Sequence, residues 1–78
     1  MRRLVVRFRD GTRTSLDLVE GQEREEMAKR LRHFVGREVV EVLEQVYDPS
    51  LPTRFRYTRR EDLEAHAKDL CAGEGVGK

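Results

Sequence analysis

Hydrophobic and polar residues alternate from residue 3 to residue 9. Leu4, Val6 and Phe8 fall on one side, and Arg3, Val5, Arg7 and Arg9 on the other. A period of two marks a half-buried strand. Asp10-Gly11 follows, a pair favoured in hairpin turns because glycine reaches positive φ at no steric cost. The return strand is expected from about Arg13 to Val19, with Thr14, Leu16 and Leu18 on one face and Arg13, Ser15 and Asp17 on the other. The period then lengthens: Met27, Leu31, Phe34 and Val35 recur at i, i+4, i+7 and i+8, the stripe of an amphipathic helix. Glu23, Glu25 and Glu26 stand at its start and Lys29, Arg30, Arg32 and His33 toward its end, both suited to the helix dipole. Gly36 is placed to close it as a C-terminal cap.

Residues 38 to 47, EVVEVLEQVY, fit two templates. As a strand, Val40, Val42 and Val46 share a face interrupted by Glu44; as a helix, Val39, Val42, Leu43, Val46 and Tyr47 form a stripe. The strand is preferred, because β-branched residues dominate, Gly36 has just closed a helix, and DPSLP supplies turn chemistry next. Thr53 to Tyr57 alternate again, which would put Phe55 and Tyr57 inside and Arg54 and Arg56 outside. Thr58 and Glu61 have the T-x-x-E spacing of a capping box, and Leu63, Ala67, Leu70 and Cys71 form the stripe of a second helix. AGEGVGK closes the sequence.

Hairpin, helix, second hairpin, helix: this order predicts an α+β two-layer sandwich, with both helices on one face of a mainly antiparallel sheet. A single domain over residues 1–71 and a flexible C-terminal tail over 72–78 are expected. The opening hairpin, helix and strand, over roughly the first 47 residues, resemble the element order of the β-grasp fold of ubiquitin-like domains. The likeness lies in element order alone and carries no functional residue with it.

Composition narrows the class. Seventy-eight residues leave room for one domain with a modest core. Cys71 is the only cysteine, so no disulfide can form within the chain. A lone thiol and no hydrophobic leader lead us to expect a reducing cytoplasm. No stretch approaches the roughly 18 apolar residues of a membrane span. Sixteen basic residues against fifteen acidic ones give a net charge of +1, too little for a strong general attraction to nucleic acid or anionic membranes. Thirteen of the basic residues are arginine and three lysine, with no isoleucine, asparagine or tryptophan. That bias is what a GC-rich genome would produce, and charge-rich, asparagine-poor chains also suit high temperature.

Few residues offer chemistry. Ala72 to Lys78 fit the [AG]-x-x-x-x-G-K part of a phosphate-binding loop, but a helix is predicted before it where that loop follows a strand, and no Ser/Thr follows Lys78. A glycine-rich tail is the preferred reading. His33 suits a helix C-terminus, and His66, four residues after Asp62, suits a helix-surface pair. Adding Asp69 or Cys71 yields no recognised ligand spacing. Neither Ser15 nor Ser50 has an activating histidine nearby in sequence. No catalytic, metal or cofactor site is therefore expected; an enzyme would need a pocket gathering His33 or His66 with carboxylates.

The arginines remain. Arg3, Arg7, Arg9 and Arg13, with Arg54 and Arg56 if the fourth strand joins the same sheet, are candidates for one macromolecule-binding face. Such a face could hold nucleic-acid phosphates, but platforms for single strands also present aromatics for base stacking. The pattern puts Phe8, Phe55 and Tyr57 inside, leaving only Tyr47 for that role. Alternatively the arginines pair across strands with Asp17 and Glu41 and simply keep the face solvated, or they serve a protein interface, where arginine is enriched. The expected function is that of a small non-enzymatic binding or regulatory protein acting through a protein–protein interface, of the kind common among bacterial and phage accessory proteins. The alternative is a nucleic-acid-binding module using the arginine face. No membrane partner is expected, and a two-fold homodimer fits the small core and exposed hairpin edges.

Overall fold

The computed structural model describes residues 2–72. Their order is β1 (Arg2–Phe8), β2 (Arg13–Asp17), α1 (Glu23–Leu31), a 3₁₀ turn (Arg32–Phe34), β3 (Val39–Tyr47), β4 (Phe55–Arg59) and α2 (Glu61–Ala72). The four strands form one antiparallel sheet in the order β2-β1-β3-β4. β1 is central to the first three strands, pairing β2 on one side and β3 on the other, so α1 crosses over β1 to connect its two neighbours. The expected α+β two-layer sandwich is the observed architecture. Residues 73–78, and with them most of the expected tail and the phosphate-loop-like motif, lie outside the described residues. No helix among the described residues is long and apolar enough to cross a membrane.

The β1–β2 hairpin follows its pattern. Gly11 has φ +92°, and the turn closes with Phe8 N–H donating to Thr12 O at 2.9 Å. The Asp10 carboxylate accepts from both the backbone N–H (2.9 Å) and the hydroxyl (2.6 Å) of Thr12, an Asx turn that fixes the loop. Leu4, Val6, Phe8 and Leu16 point to the helices and are buried.

Met27 and Leu31 anchor α1 in the core, but the helix is shorter than its stripe. It tightens into the 3₁₀ turn, and Val35 is extended and exposed rather than packed. Phe34 still reaches the core and stacks on Phe8 with ring centroids 5.1 Å apart. Gly36, at φ +97°, reverses the chain as expected of a cap, and its N–H donates to Cys71 O at 2.8 Å. That bond ties the exit of the first helical segment to the end of α2.

Residues 39–47 are a strand, with one departure from simple alternation. Arg7 pairs with Glu41 but Phe8 pairs with Val39, so Val40 is an extra residue in a β-bulge. The bulge switches parity: Val39 and Val42 are both buried, and Val40, expected in the core, is exposed. Leu63, Ala67 and Cys71 complete the core from α2, which packs on β3 and α1. Burial raises the Cys71 thiol pKa, suiting a packing role. Thr58 lies inside β4, so the expected capping box with Glu61 does not form. The first turn of α2 is anchored instead by Arg60 O, which accepts from Leu63 and Glu64 N–H at 3.1 and 3.0 Å.

The bulge yields a direct check. Val39→Ala should cost roughly 2 kcal/mol of unfolding free energy, for two lost methyl contacts plus a cavity. Val40→Ala should stay within about 0.5 kcal/mol, as exposed substitutions do. Chemical denaturation of both variants measures the contrast; equal costs would mean that the bulge is misplaced.

Candidate functional site

Pairing assigns every strand residue to one of two faces. On β3, Val42 and Glu44 face the helices, so Glu41, Leu43, Gln45 and Tyr47 face the other way. Residues opposite one another in a ladder share a face. Arg3, Val5 and Arg7 of β1, Arg13, Ser15 and Asp17 of β2, and Phe55, Tyr57 and Arg59 of β4 therefore lie on the uncovered side of the sheet.

This corrects the expected orientation of β4. Phe55 and Tyr57 are outside, opposite Tyr47 and Gln45, whereas Arg56 lies opposite Val46 on the helix side. Arg54 is not in the strand at all. It occupies a left-handed turn position (φ 69°) in the loop before β4, where its N–H donates to Leu51 O at 3.0 Å. The physical reason is the β3–β4 register. With Val42 and Glu44 on the helix side, Gln45 and Tyr47 turn outward and carry Tyr57 and Phe55 with them, and α2 packs on β3 and α1 rather than over β4. All five β4 residues are exposed.

Of the six candidate arginines, three (Arg3, Arg7 and Arg13) come together on the open face. Arg9 sits at its rim in the β1–β2 turn, paired with Glu38 at 2.8 Å. Arg54 and Arg56 do not join them. Most of the positive charge is already matched: Arg7 is paired with Glu41, and Arg3 lies 3.7 Å from Asp17. Arg13 stands directly opposite Arg7 and has no ion-pair partner among the described residues. Hydrogen bonds and charge from Arg9 hold the Glu38 carboxyl below its ordinary value.

Between these groups the face is apolar. Val5 and Leu43 are half-buried register partners at its centre. Tyr57 (52% exposed), Tyr47 (50%) and Phe55 (38%) extend the apolar surface along the β3–β4 hairpin. Tyr47 and Phe55 meet edge to face at 5.9 Å, and the Tyr57 hydroxyl accepts from Gln45 Nε2 at 2.9 Å. Arg3, Arg7, Arg13 and Tyr57 wall an open concavity of ≈ 630 Å³ floored by Val5 and Leu43.

Two buried carboxylates, unforeseen as a site in the sequence, lie behind this surface. Glu44 points from β3 toward the helices and accepts from Arg2 Nε at 2.5 Å and Arg60 Nη1 at 2.6 Å. Burial by itself would raise its pKa, but the two arginines outweigh that and hold it below the ordinary value of 4.5. Glu64 on α2 is gripped in bidentate fashion by Arg59, at 2.6 and 3.1 Å, and also accepts the Val42 N–H at 3.3 Å. Hydrogen bonding to Arg59 lowers its pKa against the opposing effect of burial. Both carboxylates are thus held ionised as acceptors, and together they clamp the β4–α2 junction to β3. The arginines hold them because Arg59-Arg60 sits at the junction. The sequence signals were that dipeptide just before α2 and, separately, Glu44 interrupting the otherwise apolar face of β3.

Asp62 and His66 do not form the expected surface pair. Arg60 takes both oxygens of Asp62, at 3.2 and 3.1 Å, and lowers its pKa. Comparison with protein-family models, with curated proteins and with solved structures returns no match.

The clamp should appear in the pH dependence of stability. A depressed carboxylate pKa means that the unfolded state binds the proton more readily. The stability Glu44 and Glu64 contribute is therefore complete well above pH 4.5 and is lost as the pH falls through their lower folded values. Glu44→Gln should cost about 1–2 kcal/mol at pH 7 and flatten the loss of stability between about pH 5 and 2. Glu38→Gln, at an exposed pair, should leave the neutral-pH stability unchanged. Denaturant titrations at several pH values distinguish these outcomes.

Proposed function

We propose that the chain is a small binding protein that docks another protein on the open face of its sheet. The supporting observation is the make-up of that face: an apolar, aromatic centre (Val5, Leu43, Tyr57) flanked by arginines largely matched by carboxylates of their own chain. Tyrosine and arginine around a desolvatable centre are the residues that carry most energy at protein interfaces. The near balance of charge on the face supplies little of the excess positive potential that phosphate-backbone binding exploits. Arginine stems can lean over the apolar floor while their guanidinium groups remain in water.

A second reading has one observation in its favour. Tyr47, Phe55 and Tyr57 lie on the arginine side of the sheet, which supplies the stacking surfaces that a single-stranded nucleic-acid platform uses. Arg13, the arginine without an acid beside it, would be the phosphate contact in that case.

A photo-crosslinking amino acid at position 57 tests the two readings in one experiment, with position 30 on α1 as the control. Protein adducts formed from position 57 and not from position 30 are the expected result. Binding of a fluorescent single-stranded oligonucleotide at about 50 mM salt, lost steeply as salt rises and abolished by Arg13→Glu or Tyr57→Ala, would overturn the protein-docking reading in favour of the second.

A further inference from the structure

We infer that the open face binds a second copy of this chain, sheet against sheet, around a two-fold axis running parallel to the strands between β1 and β3. The inference rests on the docking reading above and names its occupant. It follows from the order of residues across the two central strands. Their register places Arg7 beside Glu41, Val5 beside Leu43 and Arg3 beside Gln45. Each row has a β1 member and a β3 member of complementary character: cation with anion, apolar with apolar, donor with amide.

A two-fold axis along the strands lays β1 of one copy over β3 of the other and keeps each row at its own height. Arg7 then meets the second copy's Glu41, Val5 meets Leu43, and Arg3 meets Gln45, with every contact made twice. The Arg7–Glu41 pair already present within each chain becomes a ring of four alternating charges. Val5 and Leu43 of both copies form a closed apolar centre. In the outer strands the same operation lays β2 over β4, bringing Asp17 to the Tyr57 hydroxyl. An in-plane axis perpendicular to the strands would instead put Arg7 over Arg3 of the other copy, setting like charges together. Charge complementarity thus selects one of the two ways in which the open faces can stack with their strands aligned. Face-to-face packing at about 10 Å, with strands nearly aligned, is the ordinary geometry of two sheets, and isologous pairing is the usual route for small homodimers.

The test uses the quartet. Wild-type chain should show a concentration-dependent monomer–dimer equilibrium by sedimentation velocity. Arg7→Glu leaves two acids per chain at the quartet and Glu41→Arg leaves two arginines, so each variant alone should dimerise roughly tenfold more weakly or worse. Mixed one to one, the two should form a heterodimer, because acids of one copy then meet arginines of the other. Circular dichroism establishes that both variants are folded. Should either unfold, Val5→Cys and Leu43→Cys chains mixed under mild oxidation decide the matter: a mixed disulfide favoured over either self-pairing supports the stacking, and no preference overturns it. A wild-type chain that is monomeric throughout overturns the dimer while leaving docking of a different protein on this face to the crosslinking result. A wild-type dimer with no heterodimer from the mixture overturns the inference, because another surface must then hold the copies together.

Discussion

Strand β3 makes the pairing on which the rest of the structure depends. It hydrogen-bonds β1 along one edge and β4 along the other, and its alternating side chains decide what each face of the sheet presents. With Val42 committed to the core, Leu43 and Gln45 must turn outward, and the ladder then carries Val5 and Tyr57 outward with them. The bulge at Val40 lets this arrangement coexist with a buried Val39, because one extra residue resets the alternation before the core positions begin. A slip of one residue between β1 and β3 would exchange the two faces and expose Leu4 and Val6. The hydrophobic cost of that exchange is what makes the open face a defined surface.

The same strand explains how an uncovered hairpin is retained. β4 packs on β3 and exposes all its side chains, and a two-stranded hairpin is marginal by itself in water. Behind it, Glu44 and Glu64 accept three arginines from the N-terminus of β1 and from the β4–α2 junction. Leaving a buried carboxylate without its arginine costs more than an exposed pair contributes, so the clamp is sensitive to truncation although its arginines are partly exposed and the surface pairs around it are weak. The clamp holds β4 in its register on β3, and that register turns Phe55 and Tyr57 to the uncovered face. Stability and the character of the open face are therefore coupled through a few charged residues at one corner.

Local pattern was enough for the first hairpin, both helices, the third strand and the two-layer architecture. In each case apolar spacing identified the element and its main core positions, although Val35 and Val40 proved exposed. It failed where the answer depended on something distant in the chain. Phe55 and Tyr57 alternate as core residues would, but whether a face is core depends on what covers it, and α2 covers β3 instead. Val40 alternates correctly with Val42, yet a bulge is a property of two paired strands and leaves no period in one of them. Thr58-x-x-Glu61 has the spacing of a cap, but pairing with Glu44 claims Thr58 for the strand. The arginine cluster was half legible: the three on the first hairpin converge, while Arg54 and Arg56 were misplaced by the same inverted reading of β4. The reversal of β4 alters the chemistry of the surface, because it adds Phe55 and Tyr57 to a face on which Tyr47 was the only aromatic expected.

Those aromatics provide an internal reporter. The chain has no tryptophan and two tyrosines, and both tyrosines lie on the open face, so its intrinsic tyrosine emission reports on that surface alone. Acrylamide quenching of wild-type emission, followed as the protein concentration rises from nanomolar to high micromolar, tests directly whether the face becomes covered. The quenching constant should fall with concentration, as the Tyr57 ring passes from solvent into the interface between copies. Tyrosines equally accessible at every concentration would contradict it.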